Sequence, residues 1–350
     1  PRDCEAICPA DPLIVYALRR LGFERIHPVH PMGEIRGADF ELFPTASEVT
    51  SVREFGMVFH DSSGTFWHQV DSFLSDATIT AVRRRYGQVD LMFAMYASQN
   101  FDFFDSLGAR FPHETHRANL ETVLRIGPGM AVPGSAGFRF CGDHAWLNAH
   151  LFPVSRERFV ADLARLDPAL PTRIVNPGDV LELAEGGVRC QAAASPLAEM
   201  EADDTALIQF DPAAPIPPLA DPDPDGDGRR YLEEQCVRFL GEGLAGYLRA
   251  GYASDDPVVR AYREHRVCYA VALVFPGGEE RWHCFQFDEM APRLASGNAT
   301  APEADLVHRI AASALVGWME RRKSLFYVRG YSRRHGTIYR LARAGKQVAL

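Results

Sequence analysis

Apolar and polar positions in the first two-thirds of the chain switch repeatedly between a period of two and a period of 3.6, which predicts alternating strands and helices. Asp11 and Pro12 before the apolar stretch Leu13–Leu21, with Gly22 after it, read as a capped helix with a glycine stop. A strand is expected near Phe40–Phe43. Gly56–His60 and Thr65–Asp71 flank Asp61-Ser62-Ser63-Gly64 and predict a hairpin. Asp76 starts a helix that runs to Tyr86 and stops at Gly87. The continuous apolar run Val89–Tyr96 has the character of a strand covered on both faces. Pro112–Ile126 reads as a helix ended by Gly127, Met130–Pro133 and Phe138–Phe140 as short strands, and Ser155–Leu166 as a capped helix. Arg173–Leu183 reads as a strand pair around the turn Asn176-Pro177-Gly178-Asp179.

Around Pro212–Gly228 the composition shifts to Asp, Pro and Gly without apolar periodicity, which has the character of a solvated linker. Beyond it the pattern predicts a helix over Tyr231–Ala250, strands near Val267–Phe275 and Glu280–Phe287, a helix over Ala304–Met319 and a last strand near Leu325–Tyr331. The expected organisation is therefore a mixed α/β (α+β) domain over residues 1–210, a linker over 211–229 and a smaller α+β domain over 230–350.

Composition narrows the function. Of the 350 residues 47% are apolar and 24% charged, which excludes a disordered chain, and the longest apolar runs are far too short for a bilayer. The net charge of −9 argues against nucleic acid as the main partner and leaves a small-molecule substrate as the expectation. Lys323 and Lys346 are the lysines among 37 basic residues, a bias typical of a GC-rich bacterial coding sequence. Seven scattered cysteines without a CxxC pair fit a reducing cytoplasm, and no signal peptide is visible. The chain starts at Pro1 and enters a helix almost at once, so a further segment upstream is expected.

GxGxxG, GxxxxGK[ST], GxSxG and HExxH are absent. Cys141-Gly142-Asp143-His144 has half of a Rieske spacing, but no Cys-x-His accompanies it. Asp221–Asp227 begins like a calcium loop, yet Leu232 stands where the bidentate Glu is required. His27 and His30 lie on a proline-broken loop and suit a surface role. His113 and His116, three apart at the start of a helix, share a face and are candidate metal ligands, with a solvent-facing role as the alternative. Asp71 stands at the C-terminal end of a strand, where open α/β sheets place their chemistry; capping the turn before Ser72 is the competing role.

The hairpin ending in Trp67-His68-Gln69-Val70-Asp71, the strand Val89-Asp90-Leu91-Met92-Phe93-Ala94 and the strand Met130-Ala131-Val132-Pro133 resemble the second half of a metallo-β-lactamase fold, an αββα sandwich. Pro133-Gly134-Ser135-Ala136-Gly137-Phe138-Arg139-Phe140 and Trp146-Leu147-Asn148 look most like the branch related to CMP-N-acetylneuraminate hydroxylase. Residues 260–340 look more loosely like a sterol-carrier-protein-type domain. The resemblance implies an iron or zinc site, dinuclear in the family, that serves an oxygenase or hydroxylase acting on a small anionic metabolite, or else a metallohydrolase. It carries Asp71 over as a metal ligand. The family's HxHxDH loop is not in this sequence, and Ser135-Ala136 stands in place of the downstream His; the resemblance therefore implies a sandwich without its N-terminal part. The missing ligands would come from upstream, from a second chain or from a homo-oligomer. His144 is a candidate substitute ligand, and Arg139 with Ser135 would contact an anionic substrate. Loss of the ligand motifs favours a different reading, a non-catalytic scaffold that binds a ligand or partner and has an apolar tunnel in its C-terminal domain.

Overall fold

A computed structural model describes residues 3–48, 54–101, 103–106, 110–135, 138–184, 187–197, 210–288, 293–297 and 304–336. The mixed α/β chain divides into two units that are not simple halves of the sequence. The first comprises Pro1–Gln99, Phe111–Arg139 and Phe152–Phe210; the second comprises Asn100–Arg110, Phe140–Leu151 and Asp211–Leu350.

In the first unit Glu5–Pro9 (β1) pairs in parallel with Arg25–Val29 (β2) around the helix Pro12–Arg20, where Asp11 accepts the Leu13 N–H at 2.8 Å. That helix buries none of its residues. The main sheet has six strands in chain order: Ile35–Arg36 (β3), Phe40–Ala46 (β4), Phe55–Asp61 (β5), Gly64–His68 (β6), Leu91–Met95 (β7) and Met130–Ser135 (β8). β3 to β6 are antiparallel neighbours, whereas β6, β7 and β8 run parallel. Parallel pairing needs crossovers, and Asp76–Tyr86 and His113–Ile126 supply them. Ser75, not Asp76, caps the first of these helices by accepting the Thr78 N–H at 3.0 Å.

One register row, Phe43–Val58–Trp67–Met92–Ala131, points into the core against Ile79, Val82, Leu120, Val123 and Phe159. Trp67 is wholly buried, and its indole N–H reaches Thr45 Oγ1 at 3.3 Å. The expected strand pair over Arg173–Leu183 is corrected. The turn at Asn176–Asp179 forms, but Val180–Ala184 (β9) pairs instead with Gly187–Gln191 (β10) beyond it. Thr172 makes only a single bridge to Ala131, so the first half of the expected pair has no ladder. Phe138–Phe140 is not a strand.

The second unit is a five-stranded sheet in the order β13-β12-β11-β14-β15. Its strands are Cys268–Val274 (β11), Glu280–Gln286 (β12), Arg293–Gly297 (β13), Leu306–Ala311 (β14) and Ser332–Gly336 (β15). Only β11 and β14 pair in parallel, among the described strands of this sheet. Two expectations fail here. Leu306–Ala311 is a strand where a helix over Ala304–Met319 was predicted; the helix starts at Ala312. Leu325–Gly330 is a helix, capped by Ser324 accepting the Tyr327 N–H at 3.2 Å, where a strand was predicted. Short apolar runs fit either period, and the vacant edge of β11 claims Leu306–Ala311.

Asn100–Arg110 and Phe140–Leu151 join this unit through a stack of rings. Phe103 lies flat on His150 at 4.5 Å, Trp146 meets both edge-on, and the Arg333 guanidinium sits 4.5 Å from the Trp146 ring. Arg333 is 8% exposed and donates to the carbonyls of Gly330, Ser332 and Pro217; burial lowers its pKa to about 10. Nor is the acidic stretch simply solvated. Asp221 is buried and accepts the Ser313 N–H at 2.9 Å and its hydroxyl, which caps the helix Ala312–Met319. Asp223 accepts two backbone N–H groups, and Asp225 and Asp227 pair with Arg322. The carboxylates of the calcium-like loop are thus engaged with protein groups.

Two substitutions test these anchors. Asp221→Ala orphans the buried start of the Ala312–Met319 helix and is expected to cost about 1–3 kcal/mol. Trp67→Ala opens a core cavity and is expected to cost about 3–5 kcal/mol. Urea unfolding followed by circular dichroism measures both; an unchanged midpoint for Asp221→Ala would show that its hydrogen bonds contribute nothing.

Candidate functional sites

The parallel run of β6, β7 and β8 brings three strand ends to one edge of the first unit's sheet. β6 ends at His68, and Gln69–Ser72 closes a turn through the Ser72 N–H to the Gln69 carbonyl at 3.2 Å. Asp71 therefore stands exposed on a turn beyond the strand, not at its last residue. The turn is held from three sides. The buried Gln69 side chain donates to the Ser72 carbonyl at 2.8 Å and accepts the Met95 N–H at 3.0 Å. Ser135 Oγ, at the end of β8, donates to the Val70 carbonyl at 2.5 Å. His68 Nδ1 accepts the Val70 N–H at 3.0 Å, although Val70 has a φ of 56°, which a β-branched residue adopts only under constraint. Gly56 lets β5 pass close beneath, since a Cβ there would lie 2.6 Å from Thr45 Oγ1 and 3.0 Å from the His68 carbonyl.

Glu54, just ahead of β5, and His68 both feel the Asp71 charge. Burial, reinforced by Asp71, raises the Glu54 carboxyl; burial lowers the His68 imidazole despite Asp71. Three residues apart on one strand, His68 and Asp71 would point to opposite faces; the turn removes that restriction. The signal for Glu54 was absent from the sequence, because its proximity comes from antiparallel pairing. This trio does not amount to a metal centre: among the described residues no group of three or more His, Cys, Asp and Glu side chains is arranged to hold an ion.

The other candidate ligands lie elsewhere. His113 is exposed against Phe111, whereas His116 is buried with Nε2 3.0 Å from Asp162 Oδ2, and the Phe111 ring packs against both imidazoles. Arg139 is exposed, and Ala136 and Gly137 fall outside the described residues. His144 belongs to the second unit, packed against Tyr327 and Tyr331; Gly330 is required beside it, because a Cβ there would collide with its ring. Burial lowers its pKa.

The second unit also encloses a cavity of about 290 Å³ between one face of its sheet and the helices. Phe239, Leu240 and Leu244 reach it from a π-helical turn, Phe239–Leu244, that interrupts the helix predicted over Tyr231–Ala250. Such turns widen a helix locally and re-aim its side chains. Val271 and Ile310 line the floor, and Leu315 and Trp318 come from the helix Ala312–Met319. The polar end is formed by Tyr269, His308, Ser332 and Arg334, with His308 opposite Arg334 across the strand pair. The Tyr269 hydroxyl lies 3.3 Å from His308 Nδ1, and His308 Nε2 is buried with no hydrogen-bond partner. Burial, assisted by the Arg334 charge, pushes the His308 pKa down to about 3.

No family model matches this chain, and no curated protein matches it. Among solved structures, CmlA, a diiron β-hydroxylase from Streptomyces venezuelae, matches at 15% identity over 53% of this chain and 40% of its own, with a TM-score of 0.34. The metallo-β-lactamase fold protein YhfI from Bacillus subtilis matches at 12% identity over 47% of this chain and 59% of its own, with a TM-score of 0.31. Sterol carrier protein 2 from Yarrowia lipolytica matches at 14% identity over 28% of this chain and 88% of its own, with a TM-score of 0.20. The chain spans about two fifths of the length of the hydroxylase. Among the described residues no helix is long and apolar enough to cross a membrane.

The histidines set a pH dependence. Burial holds His68, His144, His150, His283 and His308 below the ordinary imidazole pKa. Below about pH 6.5 the unfolded chain binds protons that these folded sites refuse, so stability is full above that pH and is lost as the pH falls. The urea midpoint should drop between pH 7 and 5, and His308→Gln should flatten part of that slope. A midpoint independent of pH over this range would contradict the burial of these rings.

Proposed function

We propose that the chain binds a small, largely apolar molecule in the cavity of the second unit, with the polar end of that molecule set against Tyr269, His308 and Arg334. The observation that carries this reading is the buried, unpartnered Nε2 of His308, a residue at the polar end of a cavity whose remaining walls are mostly apolar. A buried donor or acceptor left unsatisfied costs about 1–3 kcal/mol, and a ligand oxygen or hydroxyl placed there relieves that cost. The volume of about 290 Å³ lies at the small end of the range for small-molecule pockets. An amphipathic molecule with one oxygen-bearing end and a compact apolar body suits it.

The Asp71 edge favours a second reading, a metal-dependent hydrolase or oxygenase acting on a small anionic metabolite. Its support is the Asp71 charge acting on the Glu54 carboxyl, since carboxylates that feel each other favour a cation or a shared proton. The described residues do not complete a ligand set, so no metal-dependent step is assigned to them. In this reading the chain's own contributions are the Asp71 carboxylate and the turn that Gln69 and Ser135 hold in place.

The two readings separate experimentally. Titration with a fluorescent medium-chain carboxylate should quench Trp318 saturably, and Leu244→Trp, which fills the cavity, should weaken binding at least tenfold. Wild-type protein that shows no saturable binding would overturn the first reading. Elemental analysis of the purified protein should find iron or zinc that Asp71→Ala removes if the second holds; metal content unaffected by that substitution would reduce Asp71 to a turn residue.

A further inference from the structure

The two central antiparallel strands of the second unit carry a pair of cysteines that neither candidate site uses. In the β11–β12 ladder Cys268 faces Gln286 and Ala270 faces Cys284. Cys268 and Cys284 are therefore diagonal neighbours on one face of the sheet. Ala270, opposite Cys284, is wholly buried and offers only a methyl group, so no bulky side chain separates the sulfurs. The two thiols sit close enough to perturb each other's ionisation, and both residues are partly exposed to solvent.

We propose that Cys268 and Cys284 form an oxidation site at which a peroxide closes the two thiols to a reversible intramolecular disulfide. With Cys284 as its resolving neighbour, Cys268 is the attacking sulfur. Its thiolate takes one oxygen of the peroxide, the O–O bond breaks, and with hydrogen peroxide the other oxygen leaves as water after protonation. Cys284 then displaces the hydroxyl of the resulting sulfenic acid, which also leaves as water. Together the thiols lose two protons and two electrons, and hydrogen peroxide becomes two waters. A neighbouring thiol that resolves the sulfenic acid is the usual arrangement of a reversible oxidation site. Burial raises both thiols, so the reaction is slower than at an activated cysteine.

The pair also lies directly behind the cavity. Tyr269 and Phe285, each next in sequence to one of the cysteines, point to the opposite face and stack at 6.1 Å, and Tyr269 lines the cavity. A bridge would staple the strand pair at that level.

The test uses the full chain treated with hydrogen peroxide, followed by alkylation of remaining thiols and non-reducing peptide mapping by mass spectrometry. The expected product is a monomer in which the Cys268 and Cys284 peptides are linked, two hydrogens lighter, and restored by dithiothreitol. In Cys284→Ser the link should vanish and Cys268 should react with a sulfenic-acid trap. Cys236, sealed in the core with its thiol raised to about 12, should stay reduced and serves as the internal reference. Both thiols still alkylated after peroxide treatment, a bridge to another cysteine, or a covalent dimer would overturn the proposal. The wild-type map decides the matter even if Cys284→Ser does not fold.

Discussion

Parallel strand pairing inside otherwise antiparallel sheets is the constraint on which both candidate sites rest. In the first unit β6, β7 and β8 run the same way, so their C-terminal ends share one edge, and the turns that leave them lie side by side. That is why a serine at the end of β8 can reach the carbonyl of a turn leaving β6, 65 residues earlier. In the second unit the pairing of β14 with β11 puts His308 and Tyr269 on the same face of the sheet, and β15 then brings Arg334 beside His308. Without these ladders the polar groups would be scattered along the chain.

The two sites differ in how their polar groups are satisfied. At the Asp71 edge nearly every polar contact supports the turn: Gln69 bridges two backbone groups, Ser135 holds a carbonyl, and His68 accepts an N–H. What remains is the Asp71 and Glu54 carboxylates and the buried Ser72 hydroxyl, which has no partner. In the cavity most of the wall is apolar, and at its polar end an imidazole nitrogen is left without a partner. An unsatisfied buried nitrogen is unstable in isolation and gains most from a ligand, which is why the cavity carries the functional reading.

The second unit shows how buried polar groups can replace apolar packing as structural ties. Asp221 reaches across 92 residues to cap a helix, and Arg333 spends its donors on three backbone carbonyls while lying against Trp146. Both are the kind of buried polar group whose loss leaves partners unsatisfied, so each fixes one arrangement of the chain rather than merely adding attraction. The acidic stretch that holds Asp221 is low in apolar residues for this reason: its contribution is made by carboxylates.

Local chemistry alone was enough for the helix starts at Asp11 and Ser155, the glycine stops after Tyr86 and Ile126, the buried strand around Leu91–Met95, and the hairpin of β5 and β6. Caps, glycines and periodicity act within a few residues, so they are legible without a fold. Asp71 was a candidate from its place near a strand end and from the family resemblance, and the turn that holds it is local too. The tertiary structure decided what depended on distant partners. Leu306–Ala311 became a strand because β11 had a free edge to pair with, and Leu325–Gly330 became a helix once Ser324 capped it and β15 took the edge position. The influence of Asp71 on Glu54, the His308 wall of the cavity and the diagonal placement of Cys268 and Cys284 are likewise products of strand register. Register is set by which faces are buried across a whole sheet, and that is information no short stretch of sequence contains.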